Sequence, residues 1–133
     1  MPIFADWYDD EQHIIFLRYE GDWTWNDFYE TANKAVHPLL KSTTHTVYLI
    51  ADFTSTTTIP MNGIMHARNV FKTMPTNWHN MIIVTPNKFI QILVDMFKKM
   101  NYQGMGEKIM CTNTLDEALL LIRTMQNESA TDR

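Results

Sequence analysis

Cysteine is almost missing from this chain. Cys111 stands alone among 133 residues, so no intramolecular disulfide can form and no CxxC metal pair exists. Clusters of basic charge are missing as well. Lys98-Lys99 is the only adjacent basic pair, and the net charge is −4, which leaves no field to draw nucleic acid or anionic lipid. No apolar run approaches the roughly 20 residues needed to span a bilayer. The opening "MPIFADWYDD" lacks the basic and apolar regions of a signal peptide. These absences lead to the expectation of a cytoplasmic protein with no nucleic-acid partner and no stable membrane insertion.

Catalytic signatures are missing too. There is no GxSxG elbow, no P-loop and no GxGxxG. The two glycines of "QGMGEK" follow a helical stretch rather than a strand and read as a stop signal. His13, His37, His45, His66 and His79 show no HxxxH spacing. His66 and Asp52 could meet as an acid and base, a pairing that sequence alone does not single out from a structural histidine. Cys111 falls in a predicted strand and is expected to be a small buried hydrophobe. The acidic "YDDEQ" reads as a solvated turn. No catalytic residue, metal site or cofactor is therefore expected.

What is present is a rich supply of apolar side chains: ten methionines, sixteen aromatics and 45% hydrophobic residues overall. That supply fills one core, and the length suits one domain over residues 1–126 with a frayed end, "NESATDR", over 127–133. Ile3 to Tyr8 and His13 to Glu20 read as two strands joined by a tight turn at "DDEQ". The stretch "GDWTWNDF" then turns strand into helix. Thr24 is the N-cap, Asp27 completes an approximate capping box, and Trp23 and Phe28 occupy the two positions of a hydrophobic staple. Trp25, Phe28, Ala32, Ala35, Val36 and Leu39 follow at helical spacing.

"HTVYLIAD" is a nearly continuous apolar run, as expected of a strand covered on both faces. A helix beginning near Pro60 would bury Ile64, Ala67, Val70, Phe71 and Met74. "NMIIVT" reads as another buried strand. The helix after Pro86 presents Phe89, Ile92, Leu93, Met96, Phe97 and Met100 as its buried stripe. "EKIMCT" reads as a short edge strand, and "TLDE" caps a last helix. The order β-β-α-β-α-β-α-β-α predicts an α/β fold. Its sheet is mostly parallel, with an antiparallel N-terminal strand and helices covering it.

That order, together with "ADFTSTTTIPMNGIM" (Ala51 to Met65), resembles the STAS domain of bacterial anti-sigma-factor antagonists. Asp52-Phe53 matches the Asp-hydrophobic pair that ends the central strand in the family. Pro60-Met61-Asn62-Gly63-Ile64 stands where the family has Asp-Ser-Ser-Gly-hydrophobic. The second serine of that motif accepts phosphate in switching members, and Asn62 in its place has no hydroxyl to modify. The resemblance implies a non-enzymatic regulatory or protein-interaction domain without the standard phosphoacceptor. It places the docking face on the loop from Phe53 to Pro60 and the following helix: Asp52, Thr54, Ser55, Asn62, Gly63, His66 and Arg68. Ser55 and its neighbouring threonines are alternative phosphorylation sites near a helix start. A protein partner or a second copy of the chain is the expected occupant, with homodimerisation through the first strand one form of it. The alternative is a carrier that holds an apolar small molecule or lipid among its methionines and aromatics, although a core packed to crystal density would leave no room for one.

Overall fold

The computed structural model describes residues 2–131, with side chains described through residue 128. Five strands form one sheet in the order β1-β2-β3-β4-β5: β1 (Ile3–Trp7), β2 (Ile14–Glu20), β3 (Val47–Ser55), β4 (Trp78–Val84) and β5 (Ile109–Thr112). β1 runs antiparallel to β2, and every other neighbour is parallel. The fold is thus the α/β arrangement expected, with the hairpin as its antiparallel edge. The hairpin turn closes through the Gln12 N–H to the Asp9 carbonyl, with Gln12 at φ 60°.

Because the strand order follows the chain and parallel crossovers share one hand, the connecting helices must gather on one face. They do. Trp23, Val36, Leu40, Phe71, Met74, Ile90 and Phe97 pack with the odd-numbered residues Ile15, Leu17, Tyr19, Val47, Leu49, Ala51 and Phe53 of β2 and β3. The opposite face, made by Ile14, Phe16, Tyr48, Ile50, Ile82 and Val84, is covered by Ala118 and Ile122 of the last helix, α5 (Leu115–Thr131). Residues 127–131, read from sequence as part of a frayed end, continue this helix, and 132–133 lie outside the described residues.

The first helix, α1 (Trp25–Thr31), starts as the sequence indicates. The Thr24 hydroxyl accepts from the Asp27 N–H at 3.1 Å, and Asp27 Oδ2 accepts from the Thr24 N–H at 2.9 Å. The rings of Trp23 and Phe28 sit 6.2 Å apart, closing the staple. The helix does not stay regular. Ala32–Val36 is a π turn in which the His37 N–H reaches back to the Ala32 carbonyl, and α2 (His37–Lys41) follows with Pro38 in its first turn. Proline has no N–H and crowds the carbonyl four residues back, which favours a widened turn there. The extra residue moves the apolar phase forward by one, so Leu40 is fully buried and Leu39 only half-buried.

Two helices depart further from expectation. α3 spans Gly63–Thr73, three residues later than the Pro60 start, because Asn62 takes a left-handed φ of 69° and breaks the run. α4 (Lys88–Met100) is capped by Asn87, whose Oδ1 accepts from the Phe89 and Ile90 N–H groups. Its buried residues are Ile90 and Phe97, while Phe89, Ile92, Met96 and Met100 are exposed. The expected buried stripe is therefore rotated. The cause is that α4 faces the sheet on one side only, and its chain of apolar residues is wider than that contact. Cys111 is exposed rather than buried, because β5 is a short edge strand. A 3₁₀ segment, Tyr102–Lys108, joins α4 to β5.

Candidate functional site

The segment from the end of β3 to the start of α3 is tied down rather than loose. Asp52 is buried, and its Oδ1 accepts from the Thr54 N–H at 2.8 Å and the Thr54 hydroxyl at 2.6 Å. The Gly21 N–H donates to the Ser55 carbonyl, and the Thr56 hydroxyl donates to the Gly21 carbonyl at 2.8 Å. Asn87 Nδ2 donates to the Thr57 carbonyl at 3.3 Å. Hydroxyl side chains in this loop thus satisfy backbone groups, as short polar residues do in turns.

The N-terminus of α3 has no side-chain cap. Its position is set by α1 instead. Trp25 Nε1 donates to the Met61 carbonyl at 2.6 Å. The His66 ring stacks on Trp25 with centroids 4.4 Å apart, and the Tyr29 hydroxyl lies 2.6 Å from His66 Nδ1. Asn69 Nδ2 donates to the same hydroxyl at 3.1 Å. Gly63 lies beneath this latch: a Cβ there would come within 3.2 Å of Ile59 Cγ2 and 3.8 Å of the Trp25 ring.

Of the residues singled out by the resemblance, Asn62, Gly63 and His66 gather beside Trp25 and Tyr29. Thr54 and Ser55 are exposed at the end of β3. Asp52 turns inward to Thr54, so no Asp52–His66 acid–base pair forms: each side chain is engaged elsewhere. Arg68 lies toward α4, its guanidinium 4.5 Å above the Tyr102 ring and its Nε buried without a partner. Among the described residues, no three His, Cys, Asp or Glu side chains converge as a metal site would need. Sequence reasoning assigned Trp25 to packing alone and did not single out Tyr29, yet both hold the start of α3. Their polar tips are the signal, since the N–H or O–H of a half-buried aromatic ring tends to find a partner.

Beneath the latch lies a space of the kind the carrier alternative requires. An apolar cavity of about 150 Å³ lies between the sheet and α1, α3 and α4. Ala51 of the central strand, Ala32, Gly63 and Ala67 are among its walls, so small residues meet where large ones would fill the core. Ile64, Ala67, Val70, Phe71 and Met74, the expected buried stripe of α3, all line it. Tyr19 and Trp23, edge-on to each other at 5.0 Å, are also among its walls, and burial pushes the Tyr19 phenol well above its ordinary pKa.

A polar depression also lies beside β5, among Gln91, Asp95, Lys98, Cys111, Asn113 and Glu117. Burial raises the Cys111 thiol pKa, and nearby Lys98 opposes the shift only in part. The thiol is exposed by area yet not activated, and no histidine lines the depression to deprotonate it.

Comparison with protein-family models, with curated proteins and with solved structures finds no match in any of the three. The class defined by the coordinates is a single α/β domain with a five-stranded mixed sheet, and no helix among the described residues is long and apolar enough to cross a membrane.

Proposed function

We propose that this chain is a non-enzymatic, STAS-like regulatory or protein-interaction domain of the cytoplasm. It binds a protein partner, or a second copy of itself, through the outer surface at the start of α3. The observation that carries this reading is Met61. Its carbonyl is pinned by Trp25 Nε1, while its side chain is 84% exposed. A flexible apolar side chain held in water by a fixed backbone suits contact with another surface. Met65 on α3 and Phe89, Ile92, Met96 and Met100 on α4 add further exposed apolar side chains. Asn62, beside Met61, supports constitutive docking rather than a phosphate-driven switch, since an amide accepts no phosphoryl group. A reduced compartment agrees with the single unpaired cysteine.

Met61→Glu is the cleanest test, because His66 and Gly63 also hold α3 in place and their loss would confuse folding with binding. The immobilised wild type and the variant are compared for proteins retained from native cell extract, and sedimentation velocity reports self-association. The variant is expected to lose at least tenfold in retention or in self-association, with its melting temperature unchanged. Identical retention and identical sedimentation would remove this surface.

A second reading has a specific observation in its favour. The cavity of about 150 Å³ supports binding of a small apolar molecule inside the domain. It shares α3 with the outer surface, so both readings can hold in one molecule.

A further inference from the structure

Resting on the self-association form of the docking reading above, we propose that the exposed ridge of α4 takes the acidic β1 edge of a second copy of this chain, so that copies join head to tail. The net charge of −4 conceals a division along the sequence. Residues 1–31 carry eight acidic side chains and one basic one, whereas residues 63–108 carry two acidic and six basic. The fold sets these stretches apart. Because strand order follows the chain, β1, β2 and α1 build one side of the molecule, and α3, β4, α4 and β5 the other. One molecule therefore bears both halves of a complementary pair.

Each half also exposes apolar side chains. On α4, Phe89, Ile92, Met96 and Met100 recur every three or four residues along one line of the helix, each about half in water. Lys88 stands at one end of that line and Lys98-Lys99 at the other, about 17 Å away at 1.5 Å per residue. Phe4 of β1 and Tyr8 just beyond it are exposed as well. Asp10 and Glu11 lie in the hairpin turn at one end of β2, and Glu20 and Asp22 at the other. β2 is about 20 Å long at 3.3 Å per residue, so the two charge spacings agree to within about one helical turn. Arg18 approaches Glu20 only to 3.9 Å, and Asp95 pairs with Lys99 at 3.0 Å. Both pairs are exposed and yield readily to a new partner.

Symmetric alternatives set like charge on like. β1 against β1 brings acid to acid. The Trp7 N–H faces that open edge, since the neighbouring Tyr8 N–H bonds to Ile14 across the hairpin, and Asp6 Oδ1 already accepts from it at 2.7 Å. α4 against α4, in either direction, brings lysine to lysine. Unlike faces on one molecule make a heterologous contact, which repeats from copy to copy.

Sedimentation velocity of the full chain is the test. In about 20 mM salt the wild type is expected to grow heavier with concentration, and its association to weaken at least tenfold in about 500 mM salt. Asp10→Lys with Asp22→Lys removes the acidic edge, and Ile92→Glu removes the ridge; all three positions are exposed, and circular dichroism checks that the fold is kept. Each variant alone is expected to associate at least tenfold more weakly than the wild type. In an equal mixture the intact ridge of the first meets the intact edge of the second, so association returns but stops at a dimer. If Ile92→Glu does not fold, Ile92→Gln replaces it. Either variant associating as the wild type does, or a mixture no heavier than its parts, would overturn the proposal. So would a wild type that stays monomeric at about 1 mM, including one that sediments with phosphatidylserine vesicles instead. None of these outcomes touches retention of a cell protein through Met61, so the two readings fail separately.

Discussion

His37 shows how one side chain departs from what its type suggests. It sits at the junction of the π turn and α2, buried, with Nε2 lacking a partner. Burial, and then the charge of Lys41, lower its pKa below the ordinary value of 6.5. The sign follows directly. Between the folded and unfolded values the unfolded chain binds the proton and the folded chain resists it, so stability is full above about pH 6.5 and falls as pH drops below it. His37→Gln is expected to flatten the decline in urea-derived stability between about pH 7 and pH 5. An unchanged slope would show that other groups govern acid sensitivity. Cys111 makes the complementary point: a strand position suggested burial, and the edge location exposed the residue.

At the scale of elements, local chemistry and tertiary contact divide the work unevenly. The start of α1 is local. Thr24 and Asp27 exchange two hydrogen bonds three residues apart, and both were readable from "TWND". Thr24→Ala should remove the bond to the Asp27 N–H and cost about 1 kcal/mol, a fall of roughly 3–5 °C in melting temperature. A change under about 0.3 kcal/mol by urea denaturation would mean that the staple alone holds the helix start. The last helix repeats the device in altered form. The Glu117 N–H donates to the Thr114 hydroxyl at 3.2 Å, while the Glu117 carboxylate reaches the Asn113 N–H instead of the cap residue's own. The middle of α4 is not local. Its apolar positions fit one wide stripe in sequence, and only packing against the sheet decides that Ile90 and Phe97 go in while Ile92 and Met96 stay out.

For the molecule as a whole, the consequence lies between layers. Small residues on β3, the π turn and α3 line one space, and the helices bridge over it rather than collapse into it. The polar latch from Trp25 and Tyr29 to Met61 and His66 ties the start of α3 to α1 beside that space. Ala67→Leu adds three carbons toward that space. It is expected to leave stability unchanged or raise it by up to about 1 kcal/mol, as filling a void does, and to abolish binding of neutral aromatic probes. A loss of more than about 1 kcal/mol would mean the walls are already in contact, the result of over-packing.

Sequence by itself determined the order of elements, the parallel sheet with its antiparallel edge, the capping of α1 and the absence of familiar catalytic motifs. Each of these is written in spacing along a few neighbouring residues, where periodicity and turn chemistry act without distant help. Tertiary structure alone decided which side of α4 meets the sheet, where the π turn shifts the apolar phase to Leu40, and that alanines far apart in the chain leave a shared void. It also decided that Trp25 and Tyr29 serve His66 and Met61, residues about 36 positions away. Such outcomes depend on how layers are spaced and which surfaces touch, and no local pattern carries that distance.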